Sequence, residues 1–267
     1  MQYRVPTSTV RTWVSSYTAA QNQQMPQPLP NASDFLPGPV LLLGAPGVGK
    51  GTQAQLLMAE FGIPQISTGD LLRQHRRDHT PLGMLAEELM SKGKFVPDDL
   101  VNQMVSARLA EPDTQHGYIL DGFPRTLPQA EWLDSQLVAY MLPVVAVCIT
   151  VGEDVLLKRI TGRFTCPVCS SIYNMYSNPP AVDHICDLEG AKLEQRADDT
   201  EPVFHERMRA FREKTTAVIE YYRSHGGRFA DVDGDQPVEE VTHSIRKALL
   251  ALRHHPDQEA PENQPVP

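Results

Sequence analysis

Four consecutive branched apolar residues, Val40-Leu41-Leu42-Leu43, break out of a polar, proline-rich stretch and predict a strand buried on both faces. A helical pattern, Gln53-Ala54-Gln55-Leu56-Leu57, follows within ten residues. The same alternation continues along the chain. Ile63-Pro64-Gln65-Ile66 predicts a short strand, and Ser67 or Thr68 caps the helix after it. Thr80-Pro81 opens another helix with Leu82, Leu85, Leu89 and Met90 on one face, ended by Lys92-Gly93-Lys94-Phe95-Val96-Pro97. Asp98 and Asp99 start a helix carrying Leu100, Val101, Met104, Val105 and Leu109. Tyr118-Ile119-Leu120 predicts a strand, residues 127–137 a helix, and Val144 to Ile149 a fully buried strand in which Cys148 reads as core. A helix then ends in Lys158-Arg159-Ile160-Thr161-Gly162-Arg163, where Arg159 and Arg163, four apart, share a face. After an insert, a long helix runs to about Ser224. Arg228 to Val232 is the last strand, and a closing helix runs to about Leu252. Strands alternating with helices predict an α/β fold around a parallel sheet.

The segment between the first strand and helix carries the chemistry. Gly44, Gly47, Gly49 and Gly51 allow a loop whose backbone N–H groups turn inward, Lys50 adds a full charge, and the helix N-terminus points at the same spot. This is a phosphate-binding loop. The usual version places Ser or Thr after the lysine to ligate Mg²⁺. Here Gly51 holds that position and Thr52 follows, so the metal is expected to be held mostly by phosphates and water.

Strand carboxyl ends form the ligand crevice of a parallel sheet. Asp121-Gly122-Phe123-Pro124-Arg125 stands at one: Asp121 can bind a water of Mg²⁺, Gly122 gives clearance and Arg125 offers a fork for phosphate. Gln129 can read a base edge by its amide. Residues 67–96 read as a small helical lobe able to close over a second substrate, with Arg73 reaching its phosphate. In the insert, Phe164 to Asp199, Cys166-Pro167-Val168-Cys169 and Cys186-Asp187-Leu188-Glu189 have the shape of two metal knuckles. Glu189 stands where a second Cys-x-x-Cys would end, and His184 is a competing ligand. A zinc in such a closed site is structural.

Composition narrows the class. The 267 residues suit one large domain or a core with small inserts, and no run approaches the roughly 18 apolar residues of a membrane span. A formal charge of −9 argues against a nucleic-acid partner. Within that total, 17 of 24 cations are Arg, the side chain suited to bidentate phosphate contacts. Four cysteines, three of them close together, suggest a metal site in a reducing compartment. Residues 1–36, acid-free before Asp34, predict a disordered leader, and residues 253–267 a disordered tail. The leader leaves an organelle-targeting peptide open beside a cytoplasmic location.

With GAPGVGKGTQ, ISTGDLLR, LDGFPRT, Gln129, the cysteine-bearing insert, LEQRADD and VDGDQPV in order, the chain from about Pro39 to Leu252 resembles the adenylate kinase family, in its long-lid, zinc-containing form. The resemblance implies a P-loop NTPase core with a five-stranded parallel sheet (domain 37–252), an AMP-binding lobe (67–96) and a small zinc-knuckle lid (163–199). It implies a monomer acting on ATP, AMP and ADP by reversible phosphoryl transfer, with Mg²⁺ on ATP and Zn²⁺ in the lid. By position, Gly47, Val48, Gly49, Lys50, Gly51 and Thr52 are expected to cradle ATP phosphates, with Arg163, Ile172, Tyr173 and the Gln236 carbonyl covering the rest of ATP. Thr68, Arg73, Lys94, Phe95, Val96, Gly122, Phe123, Pro124, Arg125, Gln129, Arg196 and Arg207 are expected to bind AMP. Lys50, Asp121, Arg125, Arg159, Arg163, Arg196 and Arg207 are expected to serve transfer, Asp198 and Asp199 to help lid closure, and Cys166, Cys169, Cys186 and Glu189 to hold zinc. Ala197 stands where the family commonly has Lys. A kinase for another nucleoside monophosphate is the alternative.

Overall fold

A computed structural model describes residues 38–137, 144–225 and 228–253; most of the leader and tail expectations fall outside these. The exception is Arg253, assigned to the tail, which closes the last helix and donates from Nη2 to the Pro39 carbonyl at 2.8 Å.

Five strands form one parallel sheet in the order β2-β3-β1-β4-β7: β1 (Val40–Leu43), β2 (Gln65–Ser67), β3 (Ile119–Asp121), β4 (Val145–Thr150) and β7 (Phe229–Asp233). Because successive strand residues point to opposite faces, β1 serves two cores. Leu41 and Leu43 join Ile66, Leu120, Ala146 and Cys148 on one face, as expected for Cys148. That face is covered by α2 (Thr68–Arg77), α3 (Pro81–Met90), α4 (Asp98–Leu109), α5 (Leu127–Leu137) and α8 (Thr216–Ser224). Val40 and Leu42 join Ile119, Val147 and Ile149 on the other, under α1 (Lys50–Phe61), α6 (Glu153–Thr161), α7 (Glu201–Ala210) and α9 (Val238–Arg253).

Local chemistry sets the helix ends. Ser67, not Thr68, caps α2 by accepting from the Asp70 N–H, and Thr80 caps α3 by accepting from the Gly83 N–H. The lobe formed by α2 and α3 has no core of its own; Leu71, Leu72, Leu82 and Ala86 belong to the main one. The lid differs. Strands β5 (Arg163–Thr165) and β6 (Ile172–Asn174) pair antiparallel outside the main sheet, and Cys166, Tyr173, Cys186 and Leu193 form a separate small core.

Two expectations need correction. Helix α6 stops at Thr161 with Gly162 as C-cap, so Arg163 starts a strand and shares no helix face with Arg159. The predicted continuous helix to Ser224 contains a π-helical turn, Phe211–Thr215, between α7 and α8. A wider turn re-aims the side chains that follow it, and Thr215 Oγ1 donates to the Arg125 carbonyl at 3.0 Å.

Candidate functional site

The cleft opens at the carboxyl ends of β1 and β3. Gly44 leaves β1 at φ +133°, and a Cβ there would lie 2.4 Å from the Ile149 carbonyl, so only glycine fits this turn. Lys50 begins α1 and folds over the loop, donating from Nζ to the carbonyls of Gly44 (2.8 Å) and Ala45 (3.0 Å). Burial, with Arg125 and Arg207 adding to it and Asp121 opposing, draws the ammonium down to about 8. An anion on the loop would relieve that stress.

Asp121 ends β3 beside Gly51, whose missing Cβ would lie 3.6 Å from Oδ2. The donor set is one carboxylate with no hydroxyl at position 51, which fits a cation carried mostly by phosphate oxygens. Arginines surround this point. Arg159 donates to the carbonyls of Val48 (3.3 Å) and Gly234 (2.9 Å), tying the loop to the β7–α9 turn. Arg163 holds Asp199 with both ends of its fork, at 2.7 and 2.5 Å, and Arg207 reaches Asp198 at 3.1 Å and Asp199 at 3.5 Å. Arg196 lies 3.7 Å from Asp70, which also pairs with Arg73. Burial would raise the Asp70 carboxyl, but Arg73 and Arg196 hold it well below the usual range. Burial and neighbouring cations push the Arg196 guanidinium down, and burial lowers Arg125 and Arg207 despite nearby carboxylates. The site is short of negative charge.

All of the expected nucleotide residues line a cavity of about 400 Å³ or a smaller one of about 40 Å³ beside it. The larger takes in Gly47 to Thr52, Arg73, Asp121, Arg159, Arg163, Ile172, Tyr173, Arg196, Arg207 and Gln236. The smaller takes in Thr68, Val96 and Gln129, and Arg125, Lys94, Phe95 and Gly122 line both. Phe123 and Pro124 border the larger; Phe123 is buried edge-on to Trp132. Arg125 sits over the Phe95 ring, 5.6 Å from its centroid, and donates from Nε to the Gly122 carbonyl. Thr68 Oγ1 donates to the same carbonyl. Gln129 is buried, accepting from the Arg125 N–H at 2.8 Å and donating to Asp98 at 2.8 Å. Each end of its amide keeps one further bond to offer.

The insert packs against this cleft. Ile172 Cδ1 would lie 3.2 Å from a Cβ at Gly51, Asn174 donates to the Arg159 carbonyl, and Gln55 on α1 donates to the Ser170 carbonyl. Alternation along β6 separates the Ile172–Tyr173 pair. Ile172 approaches the loop, while the Tyr173 ring packs in the lid core with its hydroxyl at Cys186 Sγ. The sulfurs of Cys166, Cys169 and Cys186 lie within 4.8 Å of one another. Backbone N–H groups of Val168 and Cys169 point at Cys166 Sγ, and those of Leu188 and Glu189 at Cys186 Sγ. Desolvation opposes ionisation of Cys186, but Tyr173 and these N–H groups bring it to about 7. Three close thiols, the buried Cys166 and Cys186 with N–H donors aimed at sulfur, fit a tetrahedral thiolate metal site. Neither the exposed Glu189 carboxylate nor His184 joins the group of mutually close donors.

Sequence reasoning missed Asp70, Asn174 and Gln65. A glutamine inside the apolar strand Ile63 to Ile66 was the available signal for Gln65, and the three-residue spacing of Asp70 and Arg73 was one for Asp70; Asn174 depends on long-range packing.

Comparison with known proteins agrees with this geometry. The family model described as adenylate kinase matches residues 42–227. Curated proteins named adenylate kinase from Caldanaerobacter subterraneus subsp. tengcongensis and Archaeoglobus fulgidus are each 46% identical over 215 residues, covering 80% of this chain and 97% and 99% of theirs. The adenylate kinase of Bacillus subtilis is 40% identical over 215 residues, again 80% of this chain and 99% of its own.

Proposed function

This chain belongs to the adenylate kinase family and transfers a phosphoryl group reversibly between ATP and AMP, and from that premise we propose a division of labour among its residues. The observation that carries it is Arg125, which lines both cavities and so stands where two phosphate tails would meet. ATP lies along Gly47 to Thr52, its adenine against the Gln236 carbonyl, and AMP fills the smaller cavity between Thr68, Val96 and Gln129 with its phosphate at Arg73 and Arg125.

An AMP phosphate oxygen attacks the γ-phosphorus while its bond to the bridging oxygen of ADP breaks. No protein nucleophile is needed, so catalysis is positioning plus cations on the equatorial oxygens. Lys50, Arg125, Arg159, Arg163, Arg196 and Arg207 are those cations. Cationic fingers are worth about 10³–10⁵ in rate, against about 10²–10⁴ for general base catalysis. Mg²⁺ carried by ATP would neutralise phosphate charge, and Asp121 would accept from one of its waters. The lid over Gly51 keeps bulk water from the γ-phosphate.

Cys166, Cys169 and Cys186 would hold zinc with Glu189 as fourth ligand, and the metal would tie the two lid knuckles together. The enzyme acts as a cytoplasmic monomer without nucleic-acid or membrane partners. Among the described residues no helix is long and apolar enough to cross a membrane. A coupled assay offering AMP, CMP, UMP and GMP in turn tests the acceptor: AMP is expected to dominate kcat/KM, and equal use of another monophosphate would overturn the assignment.

A further inference from the structure

Gln65 sits on β2 in register with Ile119, two residues before Ser67, the partner of Asp121. Its side chain therefore shares a sheet face with Val40, Leu42 and Ile119, branched apolar residues, and with Asp121 and Ser67 at the strand ends. It is 6% exposed. Burying an amide there costs free energy unless its hydrogen bonds are made. Its Nε2 donates to Asp121 Oδ2 at 3.0 Å, among the described residues the one side-chain hydrogen bond to that carboxylate. Gln65 also lines the larger cavity.

We infer that Gln65 is a positioning residue, whose amide holds Asp121 Oδ2 and so fixes the carboxylate beside Gly51, where it would accept from a metal-bound water of Mg·ATP. This rests on the role given to Asp121 above. The choice of an amide follows from charge. A Lys or Arg at this position would orient the carboxylate but neutralise it, weakening its hold on a cation's water. A neutral donor fixes the rotamer and leaves the charge available. Gly51 makes the arrangement matter more, because the position after the lysine offers no hydroxyl to share the work of holding the metal's shell.

The test compares wild type, Gln65→Leu and Asp121→Asn by calorimetric titration with ADP, with and without Mg²⁺. The readout is the factor by which Mg²⁺ tightens ADP, alongside the unliganded melting temperature and AMP affinity. A merely structural role would lower melting temperature and leave that factor alone. Gln65→Leu is expected to reduce the factor roughly tenfold, the size of one hydrogen bond to a charged group, with metal-free ADP and AMP binding unchanged. Should Gln65→Leu fold poorly, Gln65→Met, equal in length and unbranched, supplies the same comparison. A full Mg²⁺ factor in the Gln65 variant together with a lost one in Asp121→Asn would overturn the positioning role alone. A full factor in both would overturn the Asp121 assignment and the inference with it.

Discussion

The Cβ that Gly83 lacks would stand 2.1 Å from the carbonyl oxygen of His75. Helices α2 and α3 cross there at a distance only glycine permits, and the contact sets the shape of the lobe carrying Arg73.

Gly83→Ala is therefore expected to prise the two helices apart. The clash is with backbone, which cannot rotate away, so the cost should reach about 3 kcal/mol or more. Urea denaturation measures it. KM for AMP should rise more than KM for ATP, since the displaced elements border the smaller cavity, where we place AMP. A variant as stable as wild type would show that the helices have room to give.

His75 itself carries a pH dependence. It is buried, with Nδ1 2.9 Å from Thr80 Oγ1, and desolvation lowers its pKa to about 4, with Asp78 opposing. The folded pKa lies below the unfolded one, so the unfolded chain binds more protons between about 4 and 6.5. The stability from a neutral His75 is present in full above pH 6.5 and falls away as pH drops toward 4, by about 3 kcal/mol. His75→Asn should flatten this slope in denaturation curves taken between pH 4.5 and 7. An unchanged slope would assign the acid sensitivity to other groups.

Lys50→Met should leave the fold intact and remove the cation that follows the migrating charge. Turnover is expected to fall at least about 10²-fold, or some 2.7 kcal/mol of transition-state stabilisation. Near-normal kcat in a well-folded variant would exclude the phosphate-loop role.

Arg108 is fully buried and holds Asp113 through both ends of its fork, at 2.8 and 2.7 Å. Asp113→Ala strands that charge and should cost about 3–5 kcal/mol. Replacing both partners, as Arg108→Met with Asp113→Ala, should recover much of the loss. A double variant no more stable than Asp113→Ala would mean that packing, not the unpaired charge, sets the cost.

Protein purified without chelator should contain about one zinc per chain, read by atomic absorption. Glu189→Ala should weaken retention against a chelator and raise amide exchange in residues 163–199 before it affects kcat. Complete retention in Glu189→Ala with loss in His184→Ala would move the fourth ligand to His184.

What the sequence made legible was local. The loop from Gly44 to Thr52, Asp121 at a strand end and the paired Cys-x-x spacing each declare their chemistry within a few residues; the structure brings the loop and Asp121 to one cavity and the three cysteines together, with Glu189 outside their group. Contacts set by distant elements were not legible. Asp113 reads as an ordinary loop acid, and the π-turn at Phe211–Thr215 leaves no mark in hydrophobic spacing. Arg163 was misread for a related reason: Gly162 is compatible with helix, and only pairing with β6 shows that the chain has already turned. Alternation in Ile172-Tyr173 could have separated their roles, because a two-residue period sends neighbours to opposite faces.

The clamp between Arg163 and Asp199 joins the first and last residues of the lid. The chain thus leaves and re-enters the main body at one point, and what lies between has its own core and its own two-stranded sheet. Such a segment behaves as a cassette. It can lengthen, shorten or change its internal staple, metal for hydrogen bonds or for apolar side chains, without altering the register of any strand beneath it. Grafting a relative's lid between positions 163 and 199 while keeping the two clamp residues and the cleft-lining Ile172, Tyr173 and Arg196 should therefore transplant that relative's lid stability and leave this enzyme's nucleotide preference in place.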